Sequence, residues 1–217
     1  MTNAAVLWTG GKDSALALHK AIAQGYHIQC LVTFAPKDPQ FLAHSLELMK
    51  LQAASLGLPH YLRTIEAPFD KSYEDNLTWL RDEFNIDCVI TGDIALVHGS
   101  SNWIRDRCQP IGLDVFTPLW DGEREALLLD LIAGGFEVLF TCVHSRWLTS
   151  DWVGRTLDQG AIDALKTLRN GIDLCGEQGE YHTMVINGPH FQQRINLERF
   201  SIKTSDVFHY MAVEQLS

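Results

Sequence analysis

The chain has 217 residues, 46% of them hydrophobic and 20% charged, with a formal net charge of −10. That is enough apolar material for one sizeable core, with or without a companion unit. The acidic balance argues against a polyanionic nucleic-acid partner, and the short, interrupted apolar runs argue against a membrane-spanning helix.

In chain order, Ala5–Trp8 reads as a buried strand and Ser14–Gln24 as an Ala- and Leu-rich helix that Gly25 ends. His27–Phe34 is a second strand, and His44–Leu56 a helix closed by Gly57. Pro59–Ile65 is a third strand, Phe69–Phe84 a helix with Leu77, Leu80 and Phe84 on one side, and Cys88–Thr91 a fourth strand. Asp114–Phe116 reads as a fifth strand, and Asp121 as the cap of a helix through Ile132 that Gly134 and Gly135 terminate. Alternation of this kind predicts an α/β fold with a parallel sheet covered by helices on both faces. After Phe136–Val143 the pattern changes. A helix near Gly160–Leu168 leads to a Gly-rich loop, Gly171–Gly179, and Thr183–Val213 looks strand-like with broken alternation. Residues 1–120 are therefore read as a nucleotide-binding domain, and 121–217 as a smaller C-terminal α+β substrate portion. There is no internal repeat and no low-complexity linker.

The start, Met1-Thr2-Asn3-Ala4-Ala5, carries no secretory pattern. The five cysteines (Cys30, Cys88, Cys108, Cys142, Cys175) lie far apart with no C-x-x-C pair. Neither a disulfide framework nor a structural zinc site is expected, and a reducing, cytoplasmic compartment is.

In a parallel sheet, ligands sit beyond the carboxyl ends of the strands where the order reverses, which singles out the loops after Trp8, Phe34 and Thr91. The first of these is Thr9-Gly10-Gly11-Lys12-Asp13-Ser14. Its two glycines let the backbone approach an anion closely, and the N–H groups and dipole of the following helix favour phosphate. The Thr9 and Ser14 hydroxyls add donors, and Lys12 adds a positive charge. The bland reading is an ordinary strand–helix corner capped by Ser14. A Walker A loop would need glycine where Val6 stands, and a G-x-G-x-x-G fingerprint is absent. The loop resembles the S-G-G-x-D-S loop of the PP-loop ATP pyrophosphatases, with Thr9 in place of the first serine. That resemblance implies that ATP is cleaved at the α-phosphate, with pyrophosphate as the leaving group.

The second informative segment is Asp173-Leu174-Cys175-Gly176-Glu177-Gln178-Gly179-Glu180-Tyr181-His182-Thr183. Glu177 and Glu180 share this segment with two glycines, a thiol, an imidazole and a hydroxyl, a cluster costly to bury unless its members pair, bind metal or meet a substrate. It could equally be a solvated turn with Tyr181 packed inward. Followed by Asn187-Gly188-Pro189 and Phe191, the segment resembles the diphthine–ammonia ligase family. Gly92-Asp93-Ile94, Phe116-Thr117-Pro118-Leu119-Trp120, Trp152-Val153-Gly154-Arg155, His44 and Gln52-Ala53 extend the resemblance from about residue 4 to about residue 195. Gly92-Asp93-Ile94 and the short His44–Gln52 segment look most like the bacterial relatives of the family.

The resemblance implies a Rossmann-like (HUP-type) nucleotide domain and an AMP-forming ligase. ATP would adenylate a carboxylate, and ammonia or ammonium would supply the amide nitrogen. Nucleotide contacts are expected from Thr9, Gly10, Gly11, Lys12, Asp13, Ser14, Thr33, Gly92 and Asp93. Mg²⁺ is expected on the phosphates, with Asp13 as its protein ligand. Lys12, Asp13, Glu177, Glu180 and His182 are the catalytic candidates, the last three competing for the role of base. His44, Arg155, Cys175, Gly176, Gly179, Tyr181 and Thr183 are expected at the substrate. The carboxylate is protein-borne on elongation factor 2 if it is diphthine, and a small molecule otherwise; a homodimer is left open. His98 and His144 read as loop histidines. Two other readings compete. A PP-loop enzyme of tRNA modification would call for a basic face and paired cysteines, and a non-catalytic nucleotide-binding module would not need Lys12 and Asp13.

Overall fold

Short runs such as Asn3–Leu7, with Ala4, Ala5 and Val6 wholly buried, can hide apolar side chains on both faces only inside a covered parallel sheet. The computed structural model describes residues 1–39, 41–95, 102–168 and 171–217. Five parallel strands, β1 (Asn3–Leu7), β2 (His27–Ala35), β3 (His60–Thr64), β4 (Cys88–Ile90) and β5 (Asp114–Phe116), take the order β3-β2-β1-β4-β5. The order reverses between β1 and β4, so the loops that follow these two strands flank the switch point. Helices α1 (Lys12–Ala23), α2 (Leu46–Leu56), α3 (Phe69–Phe84) and α4 (Trp103–Cys108) alternate with the strands. On α3, Leu77 and Leu80 project one turn apart into a core of Ala5, Cys30, Val32, Ile86, Val89 and Leu113. Asn85 then ends the helix in the left-handed region, its N–H donating to Arg81 O.

The later part of the chain builds a second, antiparallel sheet from β6 (Glu137–His144), β7 (Tyr181–Asn187), β8 (Leu197–Ser205) and β9 (Phe208–Leu216), in the order β7-β6-β9-β8. Helices α5 (Arg124–Ala133) and α6 (Gln159–Thr167) belong to this part and are joined by Lys166 and Glu125 at 2.7 Å. The structure is thus a Rossmann-like parallel sheet flanked by helices, with a separate antiparallel sheet in the C-terminal part. By chain contacts one unit holds Met1–Thr9, Asp13–Gln40 and Gly57–Asp121. The other holds Gly10–Lys12, Phe41–Leu56 and Gly122–Ser217. The second unit therefore takes α2 and three residues of the loop after β1 in addition to the C-terminal chain.

Three local expectations change. Asp121 does not cap α5: it adopts φ 55°, a turn conformation, and the Glu123 carboxylate instead accepts Glu125 N at 3.1 Å and Ala126 N at 2.7 Å. Helix α2 begins at Leu46 rather than His44, with Ser45 Oγ accepting Leu48 N. Helix α1 begins at Lys12, two residues earlier than its composition suggests. No helix among the described residues is long and apolar enough to cross a membrane.

Candidate functional site

The loop after β1 divides between the two units. In the first unit, Thr9 Oγ1 and Ser14 Oγ lie 3.3 Å apart, so the two hydroxyls flanking the glycines converge. The loop after β4 approaches the same helix start. A Cβ on Gly92 would sit 2.6 Å from Asp13 C and 2.8 Å from Ser14 N, so only glycine allows the two backbones to meet. Asp93 follows, its Oδ2 accepting from Thr91 Oγ1 at 2.8 Å and Asn102 Nδ2 at 3.1 Å. Asn102 also caps α4 through Arg105 N, which ties Asp93 to that helix. Thr33 is buried and pairs with two groups: its hydroxyl donates to Trp8 O at 2.5 Å and meets His60 Nε2 at 2.8 Å. The one hydroxyl proton goes to Trp8 O, which makes His60 Nε2 the donor in the second bond.

In the second unit, Gly10, Gly11 and Lys12 lie against β7 and α2. Gly10 O accepts from Val185 N at 3.0 Å and from Gln52 Nε2 at 2.9 Å, while the same Gln52 nitrogen donates to Val185 O at 2.7 Å. Gly10 has φ 75°, and a Cβ there would overlap Gln52 Oε1 and lie 2.8 Å from Met184 Cε. Lys12 N donates to Thr183 Oγ1 at 3.1 Å, so a threonine of the signature satisfies the first N–H of α1. The Lys12 side chain is 3% exposed, with Nζ 5.5 Å from the centre of the Tyr181 ring. The Lys12 ammonium therefore lies buried beside an aromatic face.

The signature loop wraps around Glu180. This carboxylate is fully buried, and its two oxygens accept Asp173 N and Gln178 N at 2.8 Å each, which closes the loop on itself. Cys175 is also buried, with Sγ donating to Arg124 O at 3.4 Å and its N–H donating to Asp173 Oδ1. Arg124 Nε and Asp173 Oδ2, 3.2 Å apart, anchor the same loop to α5. The Tyr181 hydroxyl donates to Leu174 O. Gly176 and Gly179 both have positive φ, and a Cβ on Gly176 would press on Tyr181 O at 2.9 Å. Glu180, Cys175 and Tyr181 thus spend their polar atoms on shaping the loop, leaving Glu177 exposed at its turn and His182 partly exposed on β7.

His182 meets His44 edge to face, ring centres 5.4 Å apart, and His44 Nδ1 lies 3.4 Å from Met184 Sδ. Burial first, and then the neighbouring His182, push the His44 imidazole down to about 4, so it is neutral at ordinary pH. The Arg155 guanidinium stacks over Trp152, 4.3 Å from the ring centre. Burial raises the thiols of Cys30 and Cys108 to about 12, and those of Cys88 and Cys142 to about 11, far from reactive thiolates. His144 ends β6 packed against Trp147 and Phe208, and His98 lies outside the described residues. Gln52 and Asn102 are the residues that sequence reasoning left without a role. A glutamine in the buried stripe of α2 was the available signal for the first. For Asn102 the signal was an N-cap residue type ahead of Trp103-Ile104.

Among the described residues no group of three His, Cys, Asp or Glu side chains is placed to hold a metal ion. Asp13, in the first turn of α1, and Asp93, in the loop after β4, are the carboxylates nearest in sequence to the switch point.

Comparison with known proteins gives a consistent picture. Residues 2–115 match the model of the diphthamide synthase N-terminal domain, and residues 123–217 that of the diphthamide synthase C-terminal domain. A diphthine–ammonia ligase of Rattus norvegicus is 27% identical over 241 aligned positions, covering 98% of this chain and 90% of the relative. That of Homo sapiens is 25% identical over 232 positions, covering 94% and 86%. That of Schizosaccharomyces pombe is 28% identical over 218 positions, covering 88% of this chain but 35% of that longer protein. A solved structure described as a predicted subunit of tRNA methyltransferase from Methanocaldococcus jannaschii superposes with a TM-score of 0.49 at 20% identity, over 87% of this chain and 98% of that one. With one family model spanning more than half of the chain and its companion most of the remainder, the chain belongs to the diphthamide synthase family.

Proposed function

We propose that this chain is an ATP-dependent amide ligase that activates a carboxylate as its adenylate and passes it to ammonia, as expected of a relative of the diphthine–ammonia ligases. The observation that carries the reading is the bonding of the glycine loop into the signature strand: Gly10 O to Val185 N, and Lys12 N to Thr183 Oγ1. A loop suited to phosphate and a loop rich in carboxylate and imidazole are thereby built into one hydrogen-bonded unit.

In the proposed reaction a carboxylate oxygen attacks the α-phosphorus, the α–β anhydride bond breaks, and pyrophosphate leaves. Ammonia then attacks the acyl carbon, the bond to AMP breaks, and one proton passes from nitrogen to a base. Lys12 and the N–H groups of the loop would offset the charge building on pyrophosphate. Thr9 and Ser14 would add hydroxyl donors, and the loop after β4, with Gly92 and Asp93, would meet the nucleotide from the other side of the switch point. Mg²⁺, when bound, would neutralise phosphate charge, held by Asp13 and by phosphate oxygens. For the base, Glu177 and His182 are better placed than Glu180, both of whose oxygens are engaged by backbone amides. Diphthine is the carboxylate that the relatives' names supply.

The test is to incubate the protein with Mg-ATP, ¹⁵N-ammonium and elongation factor 2 carrying diphthine, with the small-acid fraction of a cell extract in parallel. AMP and pyrophosphate formed in equal amounts, with ¹⁵N in an amide product, are expected. ADP as the product would overturn α-phosphate chemistry. Retained ATP without turnover on either acid source would favour a nucleotide-binding module instead.

A further inference from the structure

A pocket of about 230 Å³ lies between the start of α2 and the antiparallel sheet, walled also by the chain just before α2 and by residues 210–213 of β9. All of its described lining belongs to one unit. Phe41, Leu48, Met184 and Met211 give it apolar and thioether walls. The lining side chains that carry a polar atom are Ser45, Glu47, Thr141 and Tyr210, and in each of them that atom is oxygen. No lysine, arginine or histidine is among the described lining residues. Thr141 Oγ1 donates its proton to Ala43 O at 2.7 Å, so its lone pairs can only accept. Ser45 Oγ accepts Leu48 N, and Glu47 puts a carboxylate in the first turn of α2, against the positive end of that helix.

This lining selects by charge and by hydrogen-bonding type. A carboxylate or phosphate entering the pocket would meet a carboxylate and find no cationic side chain to offset its charge. A protonated amine has the opposite character: three N–H donors and no acceptor suit the oxygens, and a carbon body suits the walls. The aromatic faces of Phe41 and Tyr210 favour the same sign of charge. A trimethylammonium group, having no N–H, could use the rings but not the oxygens. Ammonia alone would leave most of the space empty, since a molecule of that size takes up about 30 Å³. Met184 connects the pocket to the proposed reaction site. Its Sδ lies 3.4 Å from His44 Nδ1, and its Cε would come within 2.8 Å of a Cβ on Gly10, so the pocket and the glycine loop share this wall.

We propose that this pocket holds a protonated amine on the apolar body of the acid that the chain activates, the carboxylate itself staying outside. The link to an activated acid rests on the ligase reading; the pocket's preference for an ammonium group does not. The first arm of the experiment titrates butylammonium, butyltrimethylammonium, butanol and butyrate into the full chain by calorimetry, without nucleotide. Wild type is compared with Glu47→Gln, Ala212→Leu and Glu198→Gln, with thermal melts alongside. Butylammonium should bind most tightly and butyrate not detectably. Glu47→Gln should weaken butylammonium about three- to tenfold and leave butanol within about twofold. Ala212→Leu, which adds carbon to the pocket wall, should weaken both. Glu198→Gln removes a charge from an exposed position outside the pocket and should change neither. Butyrate binding as tightly as butylammonium, tighter binding of the trimethyl compound, or butylammonium binding untouched by Glu47→Gln and Ala212→Leu would overturn the site. The second arm supplies Mg-ATP and ammonium with aminohexanoate or with hexanoate. AMP should form faster from aminohexanoate, and Glu47→Gln should erase that preference through KM with kcat held. Equal, measurable rates for the two acids, or AMP from diphthine alone, would overturn the placement of the amine on the acid. Butylammonium binding in a chain that forms no AMP from any acid would instead remove the ligase reading and leave the pocket standing.

Discussion

At the level of single residues, side chains of one signature differ in how far their polar atoms are committed to holding the loop. Glu180 shows the principle: a buried carboxylate with two backbone donors is satisfied, and taking either donor away would cost more than the bond is worth on balance. His44 shows the opposite electrostatic bargain. Its folded-state value of about 4 lies below the 6.5 of an exposed imidazole, so between these values the unfolded chain binds the proton and the folded chain does not. The groups around it are His182, edge to face, and the uncharged Met184. The stabilisation from keeping His44 neutral is complete above pH 6.5 and is lost as pH falls toward 4, an effect on the order of 2–3 kcal/mol. Thermal midpoints measured from pH 7 to 4.5 should therefore fall for wild type, with a flatter profile for His44→Gln. Equal slopes for the two proteins would sink the assignment.

At the level of elements, backbone proximity at the switch point is set by glycine. The loop after β4 meets the start of α1 because Gly92 has no Cβ, and an alanine there would drive a carbon to within 2.6 Å of Asp13 C. Gly92→Ala should therefore separate the loop from the helix, costing roughly 1–3 kcal/mol of stability and weakening Mg-ATP binding at least about tenfold. Gly160→Ala is the control, since its nearest atom outside the chain neighbours, Asp158 Oδ1, would be 3.4 Å from the new carbon. If Gly92→Ala melts and binds ATP like Gly160→Ala, the contact does not shape the site. Most elements were legible in sequence, because alternating apolar runs and Gly stops such as Gly25 and Gly135 carry local information. Helix α4 was not: Trp103–Cys108 is six residues long, too short for a periodic signal. The cap of α5 was misplaced for a related reason. Asp121 and Glu123 are both plausible acceptors, and only the backbone angle at Asp121 decides between them.

At the level of the whole molecule, no group of three His, Cys, Asp or Glu among the described residues is placed to hold a metal ion, and on the proposed function a divalent ion would arrive with the nucleotide. Treatment with EDTA should accordingly leave the melting temperature unchanged, within about 1 °C, while abolishing AMP formation, and added Mg²⁺ should restore it. A large drop in melting temperature on chelation would point to a resident metal instead. The sequence by itself determined the parallel α/β frame, the glycine loop after β1 and the family, because each is written in a contiguous run of residues. The tertiary structure decided which of the chemically able side chains are spent. Whether Glu180, Cys175 and Tyr181 face a ligand or brace a loop depends on backbone donors and acceptors that no local pattern reveals. Placing Gly10–Lys12 with α2 and β7 is likewise a matter of long-range hydrogen bonds, from Gly10 to Val185 and from Lys12 to Thr183, across some 170 residues of chain. Such bonds depend on how the chain returns to itself, and so only the folded molecule could reveal Gln52 as the residue that holds the loop in place.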